Sequence, residues 1–369
     1  MRILLTKLRH IGDVLLITPL FENLKAHYGE DCEIGVLINQ GCEGIIQDHP
    51  LLSFYHLYPR AALASLGLWG RIRAEVALVR EIRAHRYDIV ISLTEGERSA
   101  FLALLSGAKR RVGFEPKKGW VKRIYHDYIP KQGMKHTVDS NLEALRVLGV
   151  EIKSKRVSLG ALQEEGLPEL PSEFVHIHPV SRWLFKCLDD SLVAQIIDRL
   201  WNERGLRSVI TCSDDEEEKR RCERIASFAH SEPLLILGGL SLPKIAALNQ
   251  KARFFIGVDT AIMHLSAANG TPTLAFFGPS GAFHWGPWDN ECLESGYQRR
   301  SGIQTMGKHR VYQDSRECVP CGQDGCGGSK RSECLLEIPL ESAWSVVSDF
   351  IHSSKPNNRA LEGLCKGLV

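Results

Sequence analysis

The sequence predicts an α/β protein built from two doubly wound domains. Apolar runs of strand length alternate with amphipathic helical segments, and this alternation occurs in each half of the chain. The length of 369 residues exceeds one ordinary core, and 44% hydrophobic residues can fill two. We expect domains over residues 1–165 and 166–345, followed by a helix end and tail over 346–369.

The first half begins with a strand over Arg2–Lys7, a loop over Leu8–Gly12 and a helix over Val14–His27. The same criteria predict three more strands, over Glu33–Ile38, Asp88–Leu93 and Arg111–Phe114. Helical stretches are predicted near Gly41–Gln47, Ala74–Ala84, Ala100–Leu105 and Asn141–Leu148. Strands that alternate with helices imply a parallel sheet.

The second half follows a linker over Gly160–Pro171, which is rich in Glu, Gly and Pro. Its first three strands are predicted over Phe174–His178, Ser208–Thr211 and Pro233–Leu237. Its helices are predicted over Leu192–Glu203, Glu217–Phe228, Leu242–Asn249 and Ala343–His352.

A strand, a helix and a strand follow one another between Phe254 and Phe277. The first apolar run ends at Asp259 and Thr260, and Gly270 stops the helical pattern. Ligands bind where parallel strands end, and the exposed N–H groups of a helix start favour phosphate. The segment therefore predicts a ligand site, with capping of the helix as the alternative for Asp259.

Asp13 also lies directly before a helical pattern, and Gly12 allows a ligand to approach the backbone there. A carboxylate in this position can accept a proton from a hydroxyl nucleophile. The alternative is an N-cap. Proton transfer calls for a raised Asp13 pKa, whereas a helix start lowers it. The single glycine is not the three-glycine dinucleotide fingerprint, which disfavours a nicotinamide-dependent dehydrogenase.

Lys186 and Ser181 follow the first strand of the second half and could hold a diphosphate through a cation and a hydroxyl. Solvated basic side chains beside an aromatic anchor are the alternative. The acidic run 214–218 opens a helix, where negative charge is stabilised by about 0.3–1 kcal/mol per residue. One of these carboxylates could instead bind ribose hydroxyls. His264 falls at a helical phase typical of a buried core histidine.

Four of the eleven cysteines form a C-x2-C-x4-C-x7-C pattern that is capable of holding a structural zinc ion. They are Cys318, Cys321, Cys326 and Cys334. Thiols that pack a loop are the alternative, and a non-catalytic zinc-linked binding module is the function that this pattern would suggest. No signal peptide or long apolar run is present, so we expect a cytoplasmic protein with reduced thiols.

The charge is unevenly distributed, although the net charge is only +2. Residues 1–165 carry 24 Lys and Arg against 19 Asp and Glu, whereas 166–369 carry 22 against 25. Nine basic residues lie within 109–135 with only two acidic ones. This run suggests an anionic partner, and a solvated loop is the alternative. No nucleic-acid partner is expected.

Three motifs in order resemble the lipopolysaccharide core heptosyltransferases of glycosyltransferase family 9, and most closely the heptosyltransferase III branch. They are Lys7-Leu-Arg-His-Ile-Gly-Asp13-Val-Leu-Leu, Ser181–Lys186 and Val258-Asp-Thr-Ala-Ile-Met-His264-Leu-Ser-Ala-Ala. The resemblance covers residues 1–345. It implies a GT-B architecture, in which two Rossmann-like domains face a central cleft.

The resemblance also implies an inverting transfer of heptose from ADP-L-glycero-β-D-manno-heptose to a heptose of the lipopolysaccharide inner core, without a required cofactor. By position, Asp13 would be the general base and Lys186 would neutralise the ADP leaving group. The donor would contact a larger set of residues, namely Ser181, Glu217 or Glu218, Leu240, Asp259, Thr260, Ala261 and His264. Another transferase of the same fold with a different nucleotide sugar is the alternative.

The chain departs from the family pattern at two places. Relatives often carry Asp-x-Gln-Gly where this chain has Ser92-Leu-Thr-Glu95-Gly-Glu-Arg98, which makes Glu95 the acceptor candidate. Arg182 and Trp183 replace smaller polar residues in the phosphate loop.

The basic first half fits an acceptor that carries phosphates and acidic sugars on lipid A. We expect peripheral, salt-sensitive contact with the cytoplasmic face of the inner membrane. The basic acceptor candidates are Arg60, Arg71, Arg73, Lys117, Lys118, Lys122 and Arg123.

Overall fold

A computed structural model of the chain describes residues 1–116, 118–130 and 133–354. The chain divides into two compact units, Met1–Ala161 and a second that begins at Leu162, so the division falls inside the predicted linker. Each unit contains its own largely parallel sheet. The predicted α/β, doubly wound class is confirmed.

The first unit has a six-stranded parallel sheet in the order β3-β2-β1-β4-β5-β6. Its strands are β1 Arg2–Lys7, β2 Glu33–Asn39, β3 Phe54–Tyr58, β4 Ile89–Ser92, β5 Arg110–Phe114 and β6 Asp127–Ile129. Its helices are α1 Ile11–Leu15, α2 Pro19–Tyr28, α3 Arg60–Ser65, α4 Leu68–Ala84, α5 Glu97–Leu105, α6 Gly119–Lys122 and α7 Thr137–Val147.

The second unit has a seven-stranded sheet in the order β12-β13-β11-β10-β7-β8-β9, and only the β12–β13 pair is antiparallel. Its strands are β7 Phe174–His178, β8 Arg207–Cys212, β9 Leu234–Leu237, β10 Phe254–Val258, β11 Thr273–Phe277, β12 Gln304–Met306 and β13 His309–Gln313. Its helices are α8 Asp190–Arg204, α9 Glu216–Phe228, α10 Leu242–Lys251, α11 Ala261–Ala268, α12 Ala282–Trp285, α13 Glu333–Leu336 and α14 Leu340–Ser353.

The central strands of each sheet lie in the hydrophobic core of their unit. Every residue of β7, β10 and β11 is buried, which matches the continuous apolar runs that strands covered on both faces require. In the first sheet β1 lies between β2 and β4, and in the second sheet β7 lies between β8 and β10. The strand order therefore reverses between β1 and β4, and again between β7 and β10. Such reversals open a crevice at the carboxyl ends of the strands.

Two predicted helices are wrong in detail. The predicted helix Val14–His27 is two helices, because Pro19 lacks the N–H that would continue the first one and instead begins α2. The predicted helix near Gly41–Gln47 is only a 3₁₀ turn over Glu43–Ile45. Four short strands, β3, β6, β12 and β13, were not predicted. All four have five residues or fewer and lie at or next to a sheet edge, where the apolar pattern is weak.

The last helix, α14, contains the predicted helix Ala343–His352, and residues 355–369 of the predicted tail lie outside the described residues. In the described ranges, no helix is both long enough and apolar enough to cross a membrane.

Candidate active site

Lys186 and Asp259 form an ion pair at the strand-order reversal of the second unit. The Lys186 Nζ lies 2.6 Å from Asp259 Oδ2, and both side chains are mostly buried. Lys186 follows β7 and Asp259 follows β10, which are neighbours in the sheet although β8 and β9 lie between them in sequence. The crevice there is the position where open α/β sheets bind their ligands.

A third loop joins this pair through Ser280, which follows β11. The Ser280 hydroxyl donates to Asp259 Oδ2 over 2.6 Å. Gln313 of β13 donates to the carbonyl oxygens of Gly278 and Ser280 at 2.8 and 2.7 Å, and so fixes the loop that carries the hydroxyl. Sequence reasoning missed Ser280, although its Gly-Pro-Ser-Gly loop directly after an apolar run was a usable signal.

The charge of Asp259 is stabilised by these neighbours. Burial alone would raise the pKa of Asp259, but the Lys186 ammonium, the Ser280 hydroxyl and the nearby His264 outweigh burial and lower it. Asp259 is therefore an anion whose main task is to hold Lys186. The buried His264, on α11, contributes to this electrostatic environment.

Thr260 and Ala261 form the start of α11. Thr260 is the N-cap, and its hydroxyl accepts from the Met263 N–H at 3.3 Å. The cap is thus Thr260 and not Asp259, which leaves the Asp259 carboxylate for Lys186. Ala261 is the first helical residue, where backbone N–H groups face outward.

The other predicted donor residues follow β7, β8 and β9: Ser181 and Leu240 lie in loops, and Glu217 and Glu218 lie in the first turn of α9. Ser181 is buried, and its hydroxyl accepts from the Trp183 N–H at 3.2 Å. Glu218 is buried and accepts from the Ser213 N–H and hydroxyl at 3.0 and 2.7 Å, whereas Glu217 is exposed. Of the two candidates for ribose, Glu217 has the accessible carboxylate.

Leu240 ends the loop after β9 and packs against a small apolar cluster. Gly238 in that loop has a φ of +74°, and a side chain there would collide with Asp214, whose Oδ1 accepts from the Gly239 N–H at 2.9 Å. The loops after β8 and β9 are therefore locked together through Asp214.

Asp13 occupies the first turn of α1 in the first unit. The predicted N-cap role of Asp13 is wrong in position, because α1 begins at Ile11 and its N-cap is His10. Asp13 instead belongs to a capping box, in which its Oδ2 accepts from the His10 N–H at 3.3 Å. Its Oδ1 lies 3.6 Å from Lys7 Nζ. The side chain is 13% exposed, which leaves it reachable by a small hydroxyl group.

Lys7 is a site residue that sequence reasoning missed. It ends β1, is almost fully buried, and donates to the Leu93 carbonyl at 3.1 Å. Burial lowers the pKa of Lys7, and the Asp13 carboxylate opposes this effect. A lysine at the end of a buried strand was the signal available in the sequence.

A cavity of about 240 Å³ opens at the strand-order reversal of the first unit. Arg60 and Glu95, both predicted acceptor residues, line it. Arg9 and Arg98 line it as well and were not predicted. The remaining lining residues come from the ends of β1, β2 and β3, the loop after β4 and the first turn of α5, namely Leu8, Asn39, Tyr58, Thr94, Gly96, Glu97 and Ser99.

Among the residues that the structure describes, the other basic acceptor candidates do not line this cavity. Lys118 reaches its rim, since the Lys118 Nζ lies 2.5 Å from Glu97 Oε1. Lys122 pairs with Glu115 at 2.8 Å on the surface, and Arg123 is exposed at the end of α6. Lys117 lies outside the described residues.

The structure does not form the zinc site suggested by the late cysteines. Cys318, Cys321 and Cys326 are exposed, whereas Cys334 is buried in the core of the second unit. In the described part of the chain, no three His, Cys, Asp or Glu side chains form a group that could hold a metal ion.

Comparison with known proteins identifies the family. The model of glycosyltransferase family 9 (heptosyltransferase) matches residues 75–313. The chain belongs to glycosyltransferase family 9. A lipopolysaccharide heptosyltransferase 3 from Escherichia coli is 30% identical over 304 residues, which cover 78% of this chain and 86% of that protein.

Two solved structures share the fold of this glycosyltransferase. The crystal structure of the family 9 glycosyl transferase from Veillonella parvula gives a TM-score of 0.75 at 20% identity, covering 96% of this chain and 97% of that chain. The E. coli heptosyltransferase WaaC with ADP-2-deoxy-2-fluoro heptose gives 0.70 at 18% identity, covering 95% and 99%.

Proposed function

We propose that this glycosyltransferase transfers heptose from ADP-L-glycero-β-D-manno-heptose to a heptose of the lipopolysaccharide inner core, as a heptosyltransferase III. The observation that carries the proposal is the Lys186–Asp259 pair at the crevice of the second unit. A lysine held there presents positive charge where a diphosphate would lie. The similarity to a lipopolysaccharide heptosyltransferase 3 supports the choice of sugar and acceptor.

The second unit would bind the donor. Lys186 would stabilise the negative charge that grows on the β-phosphate as the bond between the anomeric carbon and the phosphate oxygen breaks. Ser181 and the first N–H groups of α11 would contact the phosphates, and Glu217 would contact the ribose. In this assignment a lysine stabilises the departing ADP, and no metal cofactor is required.

The first unit would bind the acceptor and supply the base. Asp13 would take the proton of the acceptor hydroxyl while the hydroxyl oxygen bonds to the anomeric carbon, and ADP would leave with the electron pair of the broken bond. Attack from the face opposite ADP inverts that carbon. Lys7 would position Asp13, because its buried ammonium lies 3.6 Å from the carboxylate.

The arginine-lined cavity would hold acidic groups of the acceptor. Arg9, Arg60 and Arg98 all line this cavity, and guanidinium groups bind phosphate and carboxylate in paired hydrogen bonds. Because the proposed acceptor is anchored by lipid A, we place the enzyme at the cytoplasmic face of the inner membrane as a peripheral protein.

A donor panel tests this function. The purified enzyme is mixed with a defined core acceptor and, in turn, ADP-heptose, ADP-glucose, UDP-glucose and GDP-mannose, and release of the nucleoside diphosphate is followed. We expect acceptor-dependent release with ADP-heptose that exceeds each hexose donor by at least about tenfold. A higher rate with another nucleotide sugar would replace the proposal with a transferase for that donor.

A further inference from the structure

Helix α4 of the first unit presents an apolar surface to solvent. Leu68 and Trp69 are 70% and 82% exposed, and Ile72 and Val76 are 44% and 43% exposed. At 100° per residue, these four side chains lie within one arc of the helix. The adjacent side of the helix packs Leu78 and Ile82 into the core. We call the exposed arc formed by Leu68, Trp69, Ile72 and Val76 the α4 apolar surface.

The charges of α4 are divided between its two sides. Both of its carboxylates contact the domain, because Glu75 accepts from the Tyr58 hydroxyl at 3.2 Å and Glu81 pairs with the buried His56 at 2.5 Å. Arg73 and Arg80 are exposed beside the apolar arc, and neither has a carboxylate partner in the part of the chain that the structure describes. The α4 apolar surface is therefore flanked by positive charge.

The α4 apolar surface begins near the arginine-lined cavity. Arg60 lines the cavity and is also the first residue of α3, the short helix that precedes α4. Arg71 ties the two helices together, since it donates to the carbonyl oxygens of Leu66 and Ala64 at 2.9 and 3.2 Å. Leu66, in the turn between α3 and α4, is 39% exposed and adds a further apolar side chain before the helix. Helix α4 also contacts the cavity lining, because Glu75 accepts from the hydroxyl of Tyr58, which lines the cavity.

We propose that the α4 apolar surface docks on an anionic lipid bilayer, with Trp69, Leu68 and Ile72 inserted among the headgroups. Exposed Trp and Leu beside arginines are the combination by which helices lie in the membrane interface. With 17 residues and four arginines, α4 lies on a bilayer and does not cross it. The inference rests on the proposed function in one respect: a lipid-anchored acceptor would present its sugars to a cavity beside this contact.

Charge argues against a second copy of the chain as the occupant. A symmetric contact through the α4 apolar surface would bring Arg73 and Arg80 against the same arginines of the other copy. Like charges at such a contact are unfavourable. An anionic bilayer instead complements both arginines and accepts the indole of Trp69.

Vesicle flotation tests the proposal with the full chain and without lipopolysaccharide. We expect wild-type protein to bind vesicles of phosphatidylcholine with phosphatidylglycerol, to bind pure phosphatidylcholine much more weakly, and to be released by high salt. The double variant W69S/I72S should bind anionic vesicles at least about tenfold less. The control W201S, which removes an exposed Trp of α8 in the second unit, should bind like wild type.

Three outcomes would overturn the proposal. The wild-type protein could fail to bind anionic vesicles, or the W69S/I72S variant could bind them as well as wild type does. The third is that the wild-type protein is a dimer and the W69S/I72S variant is a monomer. Transfer to a deacylated, water-soluble core acceptor is measured in parallel, and W69S/I72S should retain it. If the wild-type protein shows no transfer in that assay, the proposed function is contradicted, whereas the vesicle result still tests membrane docking by itself. Thermal unfolding of each variant reports whether the fold is intact.

Discussion

Lys186 Nζ lies 2.6 Å from Asp259 Oδ2, and this contact joins the loops that follow two neighbouring strands of the second unit. The two residues are 73 positions apart in sequence. Ser280 adds a hydrogen bond from a third loop to the same carboxylate oxygen. The lysine is therefore held in place before any ligand binds, which is the preorganisation that stabilisation of a leaving group requires.

Replacement of Lys186 should slow transfer without unfolding the protein. We expect K186Q to lower kcat by about 10²–10³-fold, because the charge on departing ADP loses its cation. The matched control S280A removes only the hydroxyl contact to Asp259 and should have a far smaller effect. Steady-state kinetics with saturating acceptor measure both, and near-normal turnover of K186Q would contradict the role of the lysine.

The lowered pKa of Asp259 predicts a pH dependence of stability. A carboxyl group whose folded-state pKa lies below its ordinary value of 3.8 stabilises the fold above that value. This contribution is lost as the pH falls through the lower folded-state pKa. The free energy of unfolding of wild type should therefore fall more steeply than that of D259N as the pH is lowered from about 5 through and below 3.8. Denaturant titrations measure the two slopes, and parallel curves would refute this electrostatic account.

One substitution distinguishes a role of Asp13 as the general base from a role as a capping residue of α1. Asparagine retains a side-chain oxygen that can accept from the His10 N–H, so D13N preserves the capping contact but cannot take a proton. We expect D13N to lower kcat by about 10²–10⁴-fold, with little change in ADP affinity. If Asp13 only caps α1, D13N will turn over like wild type.

The arginine-lined cavity predicts that its arginines determine the affinity for the acceptor. R60A and R98A should each raise the acceptor KM by about tenfold, because each removes a guanidinium that faces the opening, while the donor KM stays unchanged. K122A is the matched control, since Lys122 pairs with Glu115 on the surface. An acceptor KM that responds to K122A and not to R60A would place the acceptor along α6 instead.

The sequence predicted the central strands well because β1, β7, β10 and β11 are buried runs of apolar residues, whose pattern needs no tertiary information. It also singled out Lys186 and Asp259 as loop residues after strands. Their pairing depends on β10 lying beside β7, which is a property of the chain crossover and not of local sequence.

Other parts of the site required the structure. Arg9 comes from the loop after β1 and Arg98 from the first turn of α5, the helix that follows β4, and both line one cavity because β1 and β4 are neighbours. The edge strand β3 is short, and its exposed side chains obscure the apolar pattern. The cysteine spacing fitted a zinc site, but folding buries Cys334 in the core and leaves the other three thiols at the surface.

The most direct test of the account is the mass of the product formed from ADP-heptose and a defined inner-core acceptor. Wild-type enzyme should convert the acceptor to a species heavier by one heptosyl unit and release one ADP for each. D13N and K186Q, at equal concentration, should form the same product far more slowly. An acceptor that keeps its mass while ADP-heptose is consumed, or that gains a different sugar from another donor, would contradict the account.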